Sequence, residues 1–543
     1  MKKRYTTAVR DSGFFLPLGI LITFSLIGCA TVSRSSFFQA REELRAAGHQ
    51  QKNSSLSIGL YLSAAQKALA VITDKNTSLQ QQAECTKIYN DAVGECVIAL
   101  KEKYSQTEEK NLVFRGGGEV YKLDEFPAET INKFTRFILS SKIDRDGFRS
   151  NVEREGIGCS LVAVQKTGSW NEPVRGFATP LTAVANFGHK TSAGDTSVRL
   201  AFFDPRDKET VIIGKEEFPL RADFTAPLAF FSIKRKRFFG FLTMVFPEGY
   251  GKMAGLYFQE PYDPQKIPVV FIHGLLSSTH DWFDFINELN KDPYFRKHYQ
   301  VWGFFYPAGM PILGSSLLLR NFFATAIRKN HLKKDIILIG HSAGGVIARM
   351  QVVNSGDLLW HFIFGPDVKK VKKDIGDSAL KNILSFKANP YISRVIFIES
   401  PHRGSDLAIR PIAFIGSLLT ATPSIFLKKY DATIRSLLQK YGINQKFLLG
   451  SSVPTSINNL APNAMLAKTV DAMAITVPYY SIIGNRGEKN KPLEKSSDGV
   501  VPYWSSHLEG AASEYIIPVD HAHANCPESV AETLRILKIK SEN

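Results

Sequence analysis

Residues 335–345 are Asp-Ile-Ile-Leu-Ile-Gly-His-Ser-Ala-Gly-Gly, an apolar run that ends in a glycine-rich turn. Its first five residues predict a buried strand, and Ala343–Val353 predicts a helix directly after the turn. A strand joined to a helix through Gly-x-Ser-x-Gly holds Ser342 in a strained turn with its hydroxyl projecting. Side chains at Gly340 and Gly344 would meet neighbouring backbone in such a turn, which explains the glycines.

Strand-like apolar runs alternate with helical stretches through the second half of the chain. The predicted strands are Ile267–Ile272, Gln300–Tyr306, Asp335–Ile339, Val395–Ile398, Tyr479–Ile483 and Tyr515–Ile517. The predicted helices are Trp282–Leu289, Leu317–Lys329, Ala343–Val353 and Glu528–Leu537. This alternation predicts the α/β class, with a mostly parallel sheet and helices on both of its faces.

Ser342 is the candidate nucleophile of an acyl-transfer reaction. Such a serine needs backbone N–H groups aimed at the developing oxyanion, each worth about 3 kcal/mol. We expect one from Ala343, just after the nucleophile, and the other from Leu275, in the loop after strand Ile267–Ile272. His273 in that loop precedes the nucleophile in chain order, so we interpret it as structural.

The general base is expected after the last predicted strand, where two histidines lie close together. His521 follows the strand end directly and is preferred, with His523 as the alternative. The acid that orients the base belongs between Ser342 and the histidine. Asp498 has that position, whereas Glu399 is a rival at the end of the preceding strand, and a turn-capping role for Asp498 stays open.

Together these segments resemble the lipase/esterase branch of the α/β-hydrolase superfamily in bacteria. The resemblance covers residues 265–543 and includes the segments Ile267–Leu275, Ser400–Ser405 and Ser497–Pro502. It implies the α/β-hydrolase fold, the chain order Ser, Asp, His, and ester hydrolysis through an acyl-enzyme. No metal or organic cofactor is called for. Many relatives have methionine at position 343 and a small or hydroxyl residue at position 399.

A long insertion lies between the strands at Ile398 and Tyr479. We expect a helical cap at about 405–475, whose apolar faces would suit an acyl chain. Such a cap, on a basic chain with the lipid-anchor signal described below, favours a phospholipid, glyceride or other acyl ester at the membrane as the substrate. Two other functions stay open: an envelope acyltransferase or deacylase, and a tethered binding module whose triad is vestigial.

The N-terminus has the features of an export signal. Met1–Arg4 is basic, and the apolar run Gly13–Gly28 is too short to span a membrane. It ends in Leu-Ile-Gly-Cys, which resembles the lipobox of bacterial lipoproteins, so Cys29 is the expected lipidation site; an uncleaved anchor is the alternative. The residue after the cysteine is Ala30 and not the aspartate that retains lipoproteins at the inner membrane of enteric bacteria. This predicts an outer-membrane, periplasm-facing location.

We expect four parts: a signal peptide at 1–28, a helical segment at 30–108, a β-rich domain at 110–262 and the catalytic domain at 265–543. The spacing in Ile58–Val71 and Ala83–Leu100 resembles a tetratricopeptide-like pair of helices, with a plain helical spacer as the alternative. Cys159–Val164, Ser197–Phe203 and Phe241–Val245 are the predicted strands of the β-rich domain.

Composition excludes several classes of protein. With 44% hydrophobic residues the chain is neither disordered nor collagen-like. The formal charge of +16 falls to +13 without the signal peptide and is diffuse, which favours an anionic lipid surface over nucleic acid for an exported protein, with a plain solvated surface as the equal alternative. In an oxidising compartment Cys85, Cys96, Cys159 and Cys526 would allow one or two disulfides.

Overall fold

The structure is a computed structural model that describes residues 23–51, 53–104, 112–124, 126–192, 194–232, 251–275, 277–310, 312–333, 335–375, 379–405, 440, 465–487 and 492–539. Most of the predicted signal peptide, the predicted strand Phe241–Val245 and most of the expected cap at 405–475 lie outside these residues. Cys29 lies in the first helix, and its side chain is outside the description.

The α-helices of the described ranges are α1 (Thr23–His49), α2 (Ser55–Ile72), α3 (Leu79–Tyr104), α4 (Ala128–Lys133), α5 (Ala226–Ala229), α6 (Trp282–Leu289), α7 (Pro293–His298), α8 (Ile312–Asn330), α9 (Ala343–Arg349), α10 (Leu358–Phe364), α11 (Val368–Ile375), α12 (Ala379–Leu384), α13 (Met465–Asp471), α14 (Tyr503–Ser506) and α15 (Pro527–Leu537).

The strands in the same ranges are β1 (Val113–Gly116), β2 (Glu119–Leu123), β3 (Arg136–Leu139), β4 (Glu153–Arg154), β5 (Cys159–Gln165), β6 (Phe177–Lys190), β7 (Thr196–Phe203), β8 (Thr210–Ile213), β9 (Glu216–Pro219), β10 (Ala222–Asp223), β11 (Gly255–Phe258), β12 (Ile267–Ile272), β13 (Tyr299–Phe305), β14 (Ile336–His341), β15 (Ile392–Ile398), β16 (Tyr479–Gly484) and β17 (Ser513–Ile517).

The first sheet has the order β1-β2-β7-β6-β5-β3, and its strand pairs are antiparallel except β2 with β7. Helices α1–α3 share one hydrophobic core with it. Gly59 of α2 lies against β1, where an added Cβ would be 2.2 Å from the Arg115 carbonyl oxygen. The Tyr89 hydroxyl of α3 donates to the Ala185 carbonyl at 2.6 Å. The expected helical segment and β-rich domain are therefore packed as one unit.

Helix α2 is long and apolar enough to cross a membrane, by length and composition only. Most of its residues are buried inside the protein, where it packs against α1, α3 and β1. We interpret it as a core helix of the first unit.

The four cysteines of the described chain outside α1 are all buried, and none forms a disulfide; they are Cys85, Cys96, Cys159 and Cys526. The possibility of one or two disulfides is thus not realised in the structure. Burial raises the pKa of the Cys85 thiol to about 11 and that of the Cys96 thiol to about 12, so both remain protonated at neutral pH.

The second sheet has the order β11-β13-β12-β14-β15-β16-β17 in the part of the chain that the structure describes. The last six strands in this order are parallel, and β11 is an antiparallel edge strand paired with β13. The sheet therefore begins at Gly255, within the segment assigned from sequence to the preceding β-rich domain. A four-residue antiparallel edge strand gives too short a pattern to separate from that domain by sequence.

Helices cover both faces of this sheet. The side chains of β12 illustrate this, since successive residues face different cores. Val270 and Ile272 face a core that includes residues of α8 and α9. Val269 and Phe271 face a second core with α6 and α15. Because successive side chains of a strand point to opposite faces, two packed helical layers need apolar residues at consecutive positions.

Polar contacts join the first unit to α6 of the second. The Arg149 N–H donates to Asp284 Oδ1 at 2.9 Å, and the Asn287 side-chain amide donates to the Ser150 carbonyl at 2.9 Å. The buried Thr225 hydroxyl donates to Asn287 Oδ1 at 2.7 Å. Helix α6 is thus held from the side by the chain that precedes the second sheet.

Candidate active site

The carboxyl ends of the parallel strands meet at one edge of the second sheet. His273 follows β12, Ser342 follows β14, Glu399 follows β15, and His521 comes four residues after β17. In open parallel sheets this edge forms the crevice where ligands bind. Residues far apart in sequence are brought together there by the strand order alone.

Ser342 occupies the turn between β14 and α9 with φ 54° and ψ −128°, a conformation that is costly for a residue with a side chain. Its N–H donates to the Ile398 carbonyl at 2.9 Å, which ties the turn to β15. A Cβ at Gly340 would be 2.6 Å from the Gly344 carbonyl oxygen, and one at Gly344 would be 2.3 Å from the Ile272 carbonyl oxygen. A side chain at either glycine would therefore overlap neighbouring backbone atoms, as the sequence predicts.

His521 bridges Ser342 and Asp498. Its Nε2 lies 3.0 Å from the Ser342 hydroxyl oxygen, and its Nδ1 lies 2.7 Å from Asp498 Oδ2. The His521 N–H also donates to the Asp498 carbonyl at 3.0 Å. Asp498 is buried and accepts N–H bonds from Val500 and Val501 at Oδ1, so its side chain is held in one orientation.

The alternative base lies elsewhere. His523 is 68% exposed, and its Nδ1 is bonded to Asp520 Oδ1 at 2.6 Å, away from Ser342. Both histidines belong to the 3-10 turn His521–His523, which Asp520 caps by accepting the Ala522 N–H. The structure therefore brings His521, and not His523, to the candidate nucleophile.

The segments of the two expected oxyanion donors, Ala343 and Leu275, both pass close to Ser342. Ala343 is the first residue of α9, where backbone N–H groups have no partner within the helix. The loop of Leu275 passes close to the nucleophile, since a Cβ on Gly274 would be 2.8 Å from the Ser342 Cβ. His273 is buried and stacks on Tyr306 at 4.3 Å, which agrees with its interpretation as a structural residue.

Two further titratable side chains lie beside His521: Glu399, which was the rival acid in the sequence, and His341, for which the sequence indicated no role in the site. Glu399 is fully buried, and its Oε2 lies 3.4 Å from both His521 Nδ1 and His341 Nε2. Burial, followed by the nearby Asp498 and Asp520 carboxylates, raises the pKa of Glu399 well above its ordinary value. Burial and the neighbouring His521 lower the pKa of His341 to about 3, so His341 is neutral at physiological pH.

The ring nitrogens of His341 and His521 and a Glu399 carboxylate oxygen lie within 4.8 Å of one another, close enough to share a metal ion. However, both ring nitrogens of His521 already face other partners, Ser342 and Asp498, at hydrogen-bonding distance. A metal at this point would have to displace the His521–Asp498 bond. The donor set therefore fits a proton-transfer site better than a metal site.

An apolar cavity of about 320 Å³ lies on the α6 side of the sheet, beside the ends of β11 and β13. Leu228, Phe231, Phe283 and Phe305 are among the side chains that line it. Trp282 forms part of its wall and also meets the ring of His341 edge-on, with 6.4 Å between ring centres. One indole thus borders both the cavity and the residue before the candidate nucleophile.

No protein-family model matches the chain, and no curated protein matches it. Among solved structures, lipase BlEst2 from Bacillus licheniformis aligns at 17% identity over 52% of this chain and 97% of its own, with a TM-score of 0.31. Phospholipase PlaB from Legionella pneumophila aligns at 14% identity over 51% of this chain and 60% of its own, also at 0.31. Lipase 1 from Pelosinus fermentans aligns at 14% identity over 51% of this chain and 100% of its own, at 0.31.

Proposed function

We propose that this protein is a serine hydrolase of the α/β-hydrolase type that cleaves carboxylic esters through an acyl-enzyme. The observation that carries the proposal is the hydrogen-bonded series Ser342–His521–Asp498, with distances of 3.0 and 2.7 Å. A serine hydroxyl beside a histidine that a buried carboxylate orients is the arrangement that activates a nucleophile.

In the proposed reaction, His521 Nε2 takes the Ser342 hydroxyl proton while the serine oxygen attacks the ester carbonyl carbon. The N–H groups of Ala343 and Leu275 stabilise the oxyanion, and the protonated histidine then gives its proton to the departing alkoxide, which leaves as an alcohol. Water, deprotonated by the same nitrogen, attacks the acyl-enzyme. The acid departs as the proton returns to Ser342.

The proposed substrate is an ester with an apolar acyl chain. The cavity beside Trp282 supports this, since its wall is mostly aromatic and aliphatic, Trp282 of that wall meets the His341 ring, and its volume falls within the range of small-molecule sites. We further propose that the enzyme works at the bacterial envelope, tethered through Cys29, on lipid or other acyl esters. The basic start, the apolar run and the Leu-Ile-Gly-Cys box support the tether.

The first test is labelling of the purified protein with a fluorophosphonate, with the labelled peptide identified by mass spectrometry. We expect a label on Ser342 in the wild type and none in the Ser342→Ala variant, because only an activated serine reacts. Labelling should be followed by a series of esters of increasing acyl length. An unlabelled but folded wild type, tested with and without detergent, would reject the proposed hydrolase.

The tether has its own test. The full chain and its Cys29→Ala variant should be produced in a Gram-negative host supplied with radioactive palmitate. We expect label and membrane sedimentation for the wild type and loss of both for the variant. Equal labelling of the two chains would reject Cys29 as the acylated residue and leave the hydrolase proposal intact.

A further inference from the structure

Glu399 is a second buried carboxyl beside the proposed base, and the reaction above does not use it. It follows β15 with φ 47°, in the left-handed region that is unfavourable for a residue with a side chain. Its N–H donates to the Ile482 carbonyl at 2.8 Å, which fixes this conformation against β16. The backbone thus holds the Glu399 side chain in the crowded space between three strand ends.

The Asp498 and Glu399 carboxyls compete for one ring nitrogen. Asp498 Oδ2 lies 2.7 Å from His521 Nδ1, and Glu399 Oε2 lies 3.4 Å from it. Two buried carboxyls beside one ring nitrogen cannot both ionise cheaply, so the carboxyl with fewer hydrogen bonds keeps a proton. Asp498 accepts two backbone N–H bonds, whereas Glu399 Oε1 has no hydrogen-bond partner in the described structure.

We propose that Glu399 is a positioning residue: it stands as a neutral acid beside His521 while Asp498 is ionised, and it becomes the ionised partner of His521 Nδ1 when the Asp498 carboxylate is removed. The inference rests on the proposed function, because it assigns Glu399 to the support of that base. The groups that face Glu399 are His341 from β14, Asp498 from the loop after β16, and Asp520 and His521 from the turn after β17.

The raised pKa of Glu399 agrees with this assignment, because burial and two nearby anions favour its protonated form. Removal of the Asp498 carboxylate takes away one of those anions. His521, which becomes a cation during the proposed reaction, then remains beside Glu399. The loss of the anion and the nearby cation both favour ionisation of Glu399. A shift of the side chain by under 1 Å would bring its 3.4 Å contact with His521 into the usual range of a charged hydrogen bond.

The test compares wild type, Glu399→Gln, Asp498→Ala and the double variant by kcat/KM on one short-chain ester. We expect Glu399→Gln to cost about fivefold or less in the wild type but about 100-fold in the Asp498→Ala background, since residues that replace one another act non-additively. Asp498→Ala should remain more active than Ser342→Ala. Its acid limb should lie at higher pH than that of the wild type, because a buried carboxyl must ionise first.

Glu532→Gln is a matched control: this buried glutamate of α15 bonds to Arg535, away from the site. Its effect should be small and equal in both backgrounds. Equal losses from Glu399→Gln in the two backgrounds, or an Asp498→Ala enzyme no better than Ser342→Ala, would overturn the inference. If the double variant does not fold, an unshifted acid limb in Asp498→Ala would overturn it. Failure of the hydrolase proposal would show earlier, as a folded wild type without Ser342 labelling.

Discussion

Two clusters of buried polar side chains, one in each unit of the molecule, differ in the groups to which they are bonded. In the first unit, Tyr89 and Asn90 of α3 are bonded to backbone groups of the neighbouring strands and loops. In the second, Ser342, His521 and Asp498 are bonded to one another. The first arrangement satisfies backbone groups where a helix meets a sheet, and the second gathers reactive groups at the common edge of parallel strands. The first cluster therefore supports packing, and the second is the one to which the proposed function assigns the reaction.

The largest expected effect separates the two histidines of the last turn. His521→Ala should lower kcat on a short ester by about 10⁴-fold or more, because the serine loses its base. His523→Ala should stay within about twofold, since that side chain points to solvent. Steady-state kinetics on both purified variants checks this. Comparable losses would mean that the bond between His521 and Ser342 does not carry the reaction.

The next prediction concerns packing in the first unit. Gly59→Ala should lower the free energy of unfolding of that unit by about 1–3 kcal/mol, because the new Cβ would overlap the Arg115 carbonyl. Activity per folded molecule should not change. Gly48→Ala is the matched control in α1, where nothing lies within 4 Å of the added Cβ. Urea unfolding followed by circular dichroism measures both. A Gly59→Ala protein as stable as wild type would remove the close helix–strand contact from the comparison.

The smallest expected effect is a pH dependence at the edge of the second sheet. The pKa of Glu399 is raised in the folded state, so the native protein binds this proton more tightly than the unfolded chain. The resulting stability is fully present below the ordinary glutamate pKa of about 4.3 and is lost as the pH rises through the raised value. The Tm of Glu399→Gln should therefore rise relative to that of wild type as the pH is increased above the ordinary glutamate pKa. A difference in Tm that is the same at every pH would contradict the buried neutral acid.

Sequence was most informative where local pattern and chain order decide the structure. The apolar run before Ser342 predicted β14, and the Gly-x-Ser-x-Gly spacing predicted the turn. Chain order then pointed to Asp498 and His521, which the structure places beside Ser342. These inferences need only the period of a strand and the rule that parallel strands share an edge.

Sequence was least informative where contacts depend on distant segments. The fit of Gly59 against β1 joins residues more than fifty positions apart, so the shared core of α2 and the first sheet was not foreseen. Likewise, Glu399 appeared only as a rival acid, because its distance to His341 and His521 depends on the placement of three strands. Such contacts are set by tertiary packing, which no local period encodes.

The bonds from Arg149, Ser150 and Thr225 to helix α6 bear on how this protein can be cut or recombined. Removal of the chain before β11 would take these partners from Asp284 and Asn287 and would expose this face of α6 to water. Helix α6 begins at Trp282, whose ring meets that of His341, the residue before the candidate nucleophile. An exchange of the N-terminal half between related proteins must therefore keep the residues that bond to α6 matched to that helix.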